Sequence, residues 1–175
     1  AEALLECLAQ EVAKVEEPPQ YVGLRPGTQV DHLLSAHDDE CCAGKAWVRV
    51  VSFAPSSAVF PEQDIVPNKG VAAGAKAWAI TLEMGVVRCA PTPDASSIPS
   101  DEQWGGVVQA IMDDAAAMRR ALCCFIDNDG NPRKRMVVPG AWEPAPVEGG
   151  CVGGVMTLTV AGPGCDCESA GPTSS

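Results

Sequence analysis

The sequence predicts an α+β fold, in which a mixed, mainly antiparallel sheet is flanked by two helices and extended by long loops and terminal arms. Two segments carry apolar residues at helical spacing, whereas four others have the alternating or β-branched pattern of strands. One helix precedes each pair of strands, which favours antiparallel pairing of neighbouring strands. The chain has 175 residues, 46% of them hydrophobic, which is enough for one domain with a buried core. We expect that domain at residues 1–161 and a C-terminal tail at 162–175.

The first predicted element is a helix over residues 2–17, followed by an arm over residues 18–44. Pro18-Pro19 stops the helix because proline removes a backbone donor and clashes with the preceding turn. The arm contains turn signals and the acidic run from His37 to Glu40. The predicted helix has an apolar face made of Leu4, Leu5, Leu8, Val12 and Val15.

Two long strands are predicted next, at residues 45–54 and 76–90. β-branched residues are abundant in the first, where Trp47, Arg49, Val51 and Phe53 alternate with the residues of the opposite face. The second strand is expected to bend or bulge at Gly85. One face of it carries Trp78, Ile80, Leu82, Met84 and Val86.

The second helix, at about residues 100–126, has the strongest pattern. Ser100 and Gln103 form a capping-box pair, and the apolar residues from Trp104 to Phe125 form one stripe. The turn residues from Asp127 to Gly130 end it. Two shorter strands are expected afterwards, at about 135–138 and 154–161.

The loop over residues 55–75 and the tail over 162–175 are the predicted subunit interfaces. A loop of that length is uncommon in a compact domain unless it has a function, and its apolar residues indicate docking, on the same domain or on a neighbour. The tail is too poor in apolar residues to fold alone, so we expect it to order against a neighbour. The candidate interface residues are Phe60, Ile65, Val66, Cys165 and Cys167.

The charge of the chain argues against nucleic-acid binding. Asp and Glu outnumber Lys and Arg by 23 to 12, a net charge of −11, whereas a DNA-binding face neutralises phosphates with basic residues. The short basic cluster at Arg133-Lys134-Arg135 does not change that balance. No apolar stretch approaches the length of a membrane span, and no secretion signal is visible.

Nine cysteines raise the question of disulfides. The number is odd, and two pairs, Cys41-Cys42 and Cys123-Cys124, are adjacent, a spacing that disulfide geometry disfavours. Cys7 and the second pair fall within helical patterns, where cysteine packs as a small apolar residue. We therefore expect mostly buried thiols in a reducing compartment, and synthesis in the cytoplasm.

No catalytic, cofactor-binding or metal-binding residue is predicted. The segment 127–130 lacks the ligands that complete a calcium loop, and the Gly-rich run 149–154 lacks the Lys of a phosphate-binding loop. Cys151, Cys165 and Cys167 do not have zinc-knuckle spacing. A small cysteine- or metal-dependent enzyme is the alternative from another class. Its residues would come from a cluster of His32, His37, Cys41 and Cys42.

Several segments between Cys41 and Val160, in fixed order, resemble proteins of the head–tail connector region of long-tailed phages that infect actinobacteria. They are Cys42 to Val50, Trp78 to Gly85, Asp101 to Trp104, and Gly140 to Pro144 leading into 149–154. Within that group the chain resembles the tail terminators, which form a ring that caps the tail tube. The residues before Cys41 and the cysteine-bearing tail lie outside the resemblance.

The resemblance implies a structural virion protein without enzymatic activity or cofactors. It would form a homohexameric ring between the major tail tube protein and the head-side connector or stopper protein, within the neck of the virion. DNA would pass through an acidic lumen without specific binding, and no membrane would be involved. A neck adaptor or stopper protein is the alternative within the same class.

Overall fold

The computed structural model describes residues 1–27, 43–56, 59–62, 77–93, 97–127, 136–148 and 150–163. Two helices pack against a five-stranded mixed sheet, which confirms the predicted α+β class. The elements are α1 (Glu2–Val12), β1 (Tyr21–Leu24), β2 (Lys45–Pro55), β3 (Ala77–Cys89), α2 (Asp101–Asp127), β4 (Val137–Glu148) and β5 (Cys151–Pro163).

The strands lie in the order β1-β2-β3-β5-β4, so β3 is at the centre of the sheet. β1 runs parallel to β2, and the other three pairs are antiparallel. The expectation that neighbours in sequence pair is right for β2 with β3 and for β4 with β5. Because β5 lies between β3 and β4, α2 connects two strands that are not adjacent.

The last two strands are longer than predicted. The segment from Gly140 to Pro144 has the glycine and proline typical of a loop, yet it belongs to β4. β4 is an edge strand, where a proline need not donate a ladder hydrogen bond. β5 begins at Cys151 instead of residue 154 and continues to Pro163, so the first two residues of the predicted tail are strand.

The predicted helix over 2–17 is shorter, and the predicted arm contains a strand. Helix α1 ends at Val12, after which the backbone tightens so that the Lys14 amide donates to the Glu11 carbonyl. The prolines at 18–19 also disfavour helical backbone in the residue before each of them. β1 then pairs with the start of β2, from Tyr21 with Lys45 to Leu24 with Val48.

A β-bulge divides β2 between Val50 and Ser52 and reverses the face of the residues after it. Phe53 pairs with Ile80, so it shares the face of Val50 and not that of Trp47, contrary to the predicted alternation. Gly85 lies in continuous register and is not a bulge. Its role is spatial, because a Cβ there would lie 2.3 Å from Cζ2 of Trp47.

The main core lies between the helices and one face of the sheet. The prediction that Leu82, Met84 and Val86 share a face is confirmed, since all three are buried in this core. The sheet also contributes Ala46, Val48, Met156 and Leu158, and the helices contribute Leu4, Cys7, Leu8, Val12, Ala117, Met118, Ala121 and Leu122. No helix among the described residues is long and apolar enough to cross a membrane.

Candidate functional site

Helix α2 is packed along only one half of its length. Its buried residues all lie at position 114 or later, whereas the exposed large apolar residues of the helix all precede it. At 27 residues the helix is about 40 Å long. The single stripe predicted from Trp104 to Phe125 is therefore divided, with its second part in the core and its first part facing outward. We call residues 101–112 the projecting half of α2.

The packed half of α2 is held to the sheet by a buried ion pair. Arg88 of β3 donates from Nε and Nη2 to both carboxylate oxygens of Asp114, at 2.5 and 2.7 Å. Burial raises the pKa of Asp114 although the guanidinium acts in the opposite direction, and the hydrogen bonds to Asp114 raise the pKa of Arg88. The pair fixes the point at which the helix leaves the sheet. Two adjacent carboxylates in a helix, Asp113 and Asp114, would suggest a solvated face for both, yet Asp114 is buried.

Two further links hold the packed half to α1. The Glu11 carboxylate accepts hydrogen bonds from Lys14 and from Arg120 of α2, and these cations lower its pKa, Lys14 the more strongly. Cys7 and Cys124 form a disulfide, with their Cα atoms 5.8 Å apart. The expectation that these cysteines are buried thiols is therefore wrong.

The cysteines at one end of the central strand pair, β3 and β5, also differ from the sequence prediction. Cys89 and Cys151, which pair in register between β3 and β5, are both disulfide-bonded. Cys123 is the free cysteine of the described part of the chain, and it is exposed. The Cys7–Cys124 disulfide was not predicted because these two residues, distant in sequence, meet only through the packing of α1 on α2.

The sheet face opposite the helices carries a second small cluster. Arg49 donates from Nε and Nη2 to the two carboxylate oxygens of Glu83, at 2.6 and 2.7 Å, and the Trp47 indole donates to Oε1 at 3.3 Å. Trp47 and Val87 are buried there. Hydrogen bonding to Glu83 raises the pKa of Arg49. The charges satisfy each other, so this cluster is structural.

The projecting half of α2 presents a row of exposed apolar side chains. Trp104, Val108 and Met112 are four residues apart and are 37%, 56% and 56% exposed. We call these three residues the α2 stripe. The ten residues from Gln103 to Met112 contain no charged side chain, although the protein has a net charge of −11. This uncharged run was visible in the sequence and is the signal that could have identified the stripe.

A second apolar surface lies beyond the packed end of α2, where the sheet extends past the helices. Phe125 lines an open hollow of about 370 Å³ there. Val50 and Phe53, at its rim, are 48% and 59% exposed, and Phe53 stacks on Trp78 with ring centroids 4.8 Å apart. None of the described side chains that line it is charged. The hollow, which we call the sheet-end hollow, is lined by Ala1, Val50, Phe53, Ile80, Leu82, Phe125, Val137, Val160 and Ala161.

A larger groove of about 620 Å³ runs along the other side of the projecting half and has an acidic border. Glu16 and Glu17 after α1 face Glu102 and Asp113 of α2 across it. Arg88, which also lines it, is already paired with Asp114. The two long sides of the projecting half therefore differ, one being apolar and uncharged and the other acidic.

Of the five predicted interface residues, only Phe60 lies among the described residues. It is half-buried in the segment 59–62, next to a cis Phe60–Pro61 bond. Ile65, Val66, Cys165 and Cys167 lie outside the described residues, as do the histidines and cysteines of the alternative metal cluster. Within the described ranges, no group of three or more His, Cys, Asp or Glu side chains could hold a metal ion.

Comparison with known proteins identifies no relative. The sequence matches no protein-family model, and it has no significant match among curated proteins. The function of the chain is therefore inferred from the α2 stripe, the sheet-end hollow and the acidic groove.

Proposed function

We propose that this chain is a structural subunit that assembles with copies of itself into a closed ring, as a tail terminator does at the neck of a long-tailed phage. In this proposal the ring is a homohexamer that caps the major tail tube protein and meets the head-side connector. The chain acts by contact and not by catalysis, and its location is the virion.

The observation that carries the proposal is the presence of two apolar surfaces, without charged side chains among the described residues, at opposite ends of one helix. Trp104 of the stripe and Phe125 of the hollow are separated by 21 helical residues, which is about 32 Å. A subunit with two different contact surfaces associates head to tail, and a suitable rotation closes the series into a ring. Exposed apolar patches of this kind mark interaction sites.

Two other features agree with a place in a virion. A strongly acidic ring repels DNA phosphates, so that DNA passes through its lumen without being bound. Disulfides persist on virion surfaces, which are exposed to an oxidising environment after release from the cell. The edge strands β1 and β4 are further surfaces on which a neighbouring chain could pair.

The test is the mass of the purified chain in solution, followed by negative-stain imaging. We expect a closed oligomer of defined stoichiometry, formed alone or on addition of tail tube protein. A six-fold ring supports the terminator or the stopper, and a twelve-fold ring supports the adaptor. A chain that stays monomeric at high concentration and in the presence of tail tube protein would contradict the proposal.

A further inference from the structure

We propose that the α2 stripe of one copy seats in the sheet-end hollow of the next copy. This inference rests on the proposed self-assembly and names the two surfaces that meet. The occupant of the hollow is thus a second copy of this chain, which inserts the projecting half of its α2. The contact is head to tail, because stripe and hollow lie at opposite ends of the same helix.

The charge of the chain indicates that a second copy occupies the sheet-end hollow. Two molecules of net charge −11 repel each other, and bringing like charges together across an interface is costly. Such molecules associate most readily through surfaces on which neither has a carboxylate. The stripe and the described lining of the hollow meet that condition, since residues 103–112 and the described side chains that line the hollow are uncharged. The acidic groove, in contrast, would repel another acidic copy.

Shape supports the same pairing. The stripe is a ridge of three exposed side chains about 12 Å long on the projecting half of α2. The hollow is an open concavity whose rim includes the half-exposed Val50 and Phe53. A helix that lays its apolar face in a hydrophobic groove is a recurrent mode of recognition, with anchors at the spacing seen here.

Two glycines on the projecting half provide an independent observation. Gly105 and Gly106 lie inside an exposed helix, where glycine is a poor helix former, and a Cβ at either position would meet no atom within 4 Å. Their own fold therefore does not require them. At 100° per residue Gly105 falls beside Met112 on the stripe, whereas Gly106 faces the acidic groove. Close approach of a neighbouring copy accounts for the absence of a side chain at Gly105.

The experiment mixes two full-length variants, each with one surface blocked by charge. Val108→Glu with Met112→Glu blocks the stripe, and Phe53→Glu blocks the hollow. All three positions are more than half exposed, so the variants should retain the circular dichroism spectrum of the wild-type monomer, and Phe53→Glu should lower its melting temperature only by the loss of the stack on Trp78. Each variant alone should lose self-association by about 30-fold or more. An equimolar mixture should form a one-to-one heterodimer and nothing larger, because each partner contributes one intact surface.

Several results would overturn this pairing while leaving self-assembly intact. Rings formed by both single variants would show that other surfaces build the oligomer. Dimers formed by the hollow-blocked variant alone would show that stripe pairs with stripe. If instead the wild-type chain itself never associates, the proposed function fails together with this inference.

Matched glycine variants refine the test. Gly105→Ala and Gly106→Ala should each raise the melting temperature of the monomer by about 2–4 °C, since alanine favours the helix. Only Gly105→Ala should weaken self-association, by about 10-fold, because its methyl group would stand in the contact. The assignment of the stripe face would be overturned if Gly106→Ala alone weakened self-association, or if neither variant did.

Discussion

The two halves of α2 have similar apolar periodicity but opposite surroundings. In the packed half, Met118 and Leu122 lie in the main core, beside the disulfide to α1 and the ion pair to β3. In the projecting half, Trp104, Val108 and Met112 face outward. Residues 15–17 and 88–91 face the first turns of α2 across the acidic groove, on the other side of the helix from the stripe, so nothing in the described part of the chain buries the stripe. Helical periodicity identifies an apolar face but not what covers it.

The sharpest test of this contrast compares two adjacent cysteines. Cys124→Ala removes the disulfide to Cys7, which closes a sequence separation of 117 residues, and should lower the free energy of unfolding by about 4 kcal/mol. Cys123→Ala changes an exposed thiol and should cost no more than about 0.5 kcal/mol. Denaturant unfolding without reductant measures both. Mass mapping that recovers Cys7 and Cys124 as thiols in the purified wild-type chain would contradict the disulfide.

A pair of methionines on the same helix gives the next largest difference. Met118→Ala empties a fully buried position and should cost about 3 kcal/mol. Met112→Ala, at a position 56% exposed, should change the free energy of unfolding of the monomer by less than about 0.5 kcal/mol. Both are measured by urea unfolding at low protein concentration. Similar losses in the two variants would mean that the projecting half is packed within its own subunit.

The smallest expected effect concerns the link between Glu11 and Arg120, which exists only along the packed half. Because Lys14 and Arg120 lower the pKa of Glu11, the carboxylate stabilises the folded state above its ordinary pKa of 4.5. That stabilisation is lost as the pH falls through the lower pKa of the folded state. Glu11→Gln should therefore cost about 1 kcal/mol at neutral pH and progressively less in acid.

Unfolding of wild-type and Glu11→Gln protein at a series of pH values checks this sign. Added salt should also reduce the difference at neutral pH, because Lys14 is exposed and Arg120 is partly exposed. A difference that grew in acid would mean that Glu11 is stabilised in its protonated form. The matched comparison is Gln109→Glu on the projecting half, which places a carboxylate beside that of Asp113 with no bonded cation, so its cost relative to wild type should shrink as both carboxylates are protonated in acid.

Local features of the sequence predicted local features of the fold well. The Ser100 and Gln103 capping box is present in both directions, with the Ser100 amide donating to Gln103 Oε1 and the Gln103 amide to Ser100 Oγ. The strands at 45–54 and 76–90 are confirmed as β2 and β3 within a residue or two. These features depend on hydrogen bonds and apolar patterns among near neighbours, which the sequence displays directly.

Features that depend on distant residues were missed. The bulge after Val50 transfers Phe53 to the other face of the sheet, a shift that alternation alone cannot indicate. Gly85 leaves room for the ring of Trp47 on the neighbouring strand β2, and Gly154 leaves room for the ring of Trp142 on the neighbouring strand β4. The candidate assembly surfaces were missed for the same reason, since exposure is a property of the assembled layers.

The sequence alone therefore determined the α+β class, the two helices, the two long strands and the acidic charge, because each follows from local periodicity or composition. The tertiary structure decided which halves of those elements are covered. Only the packing of α1 against α2 brings Cys7 to Cys124. Only the arrangement of the two helices on the sheet leaves the α2 stripe and the sheet-end hollow open. Burial is a relation between segments far apart in the chain, and no window of sequence contains both of them.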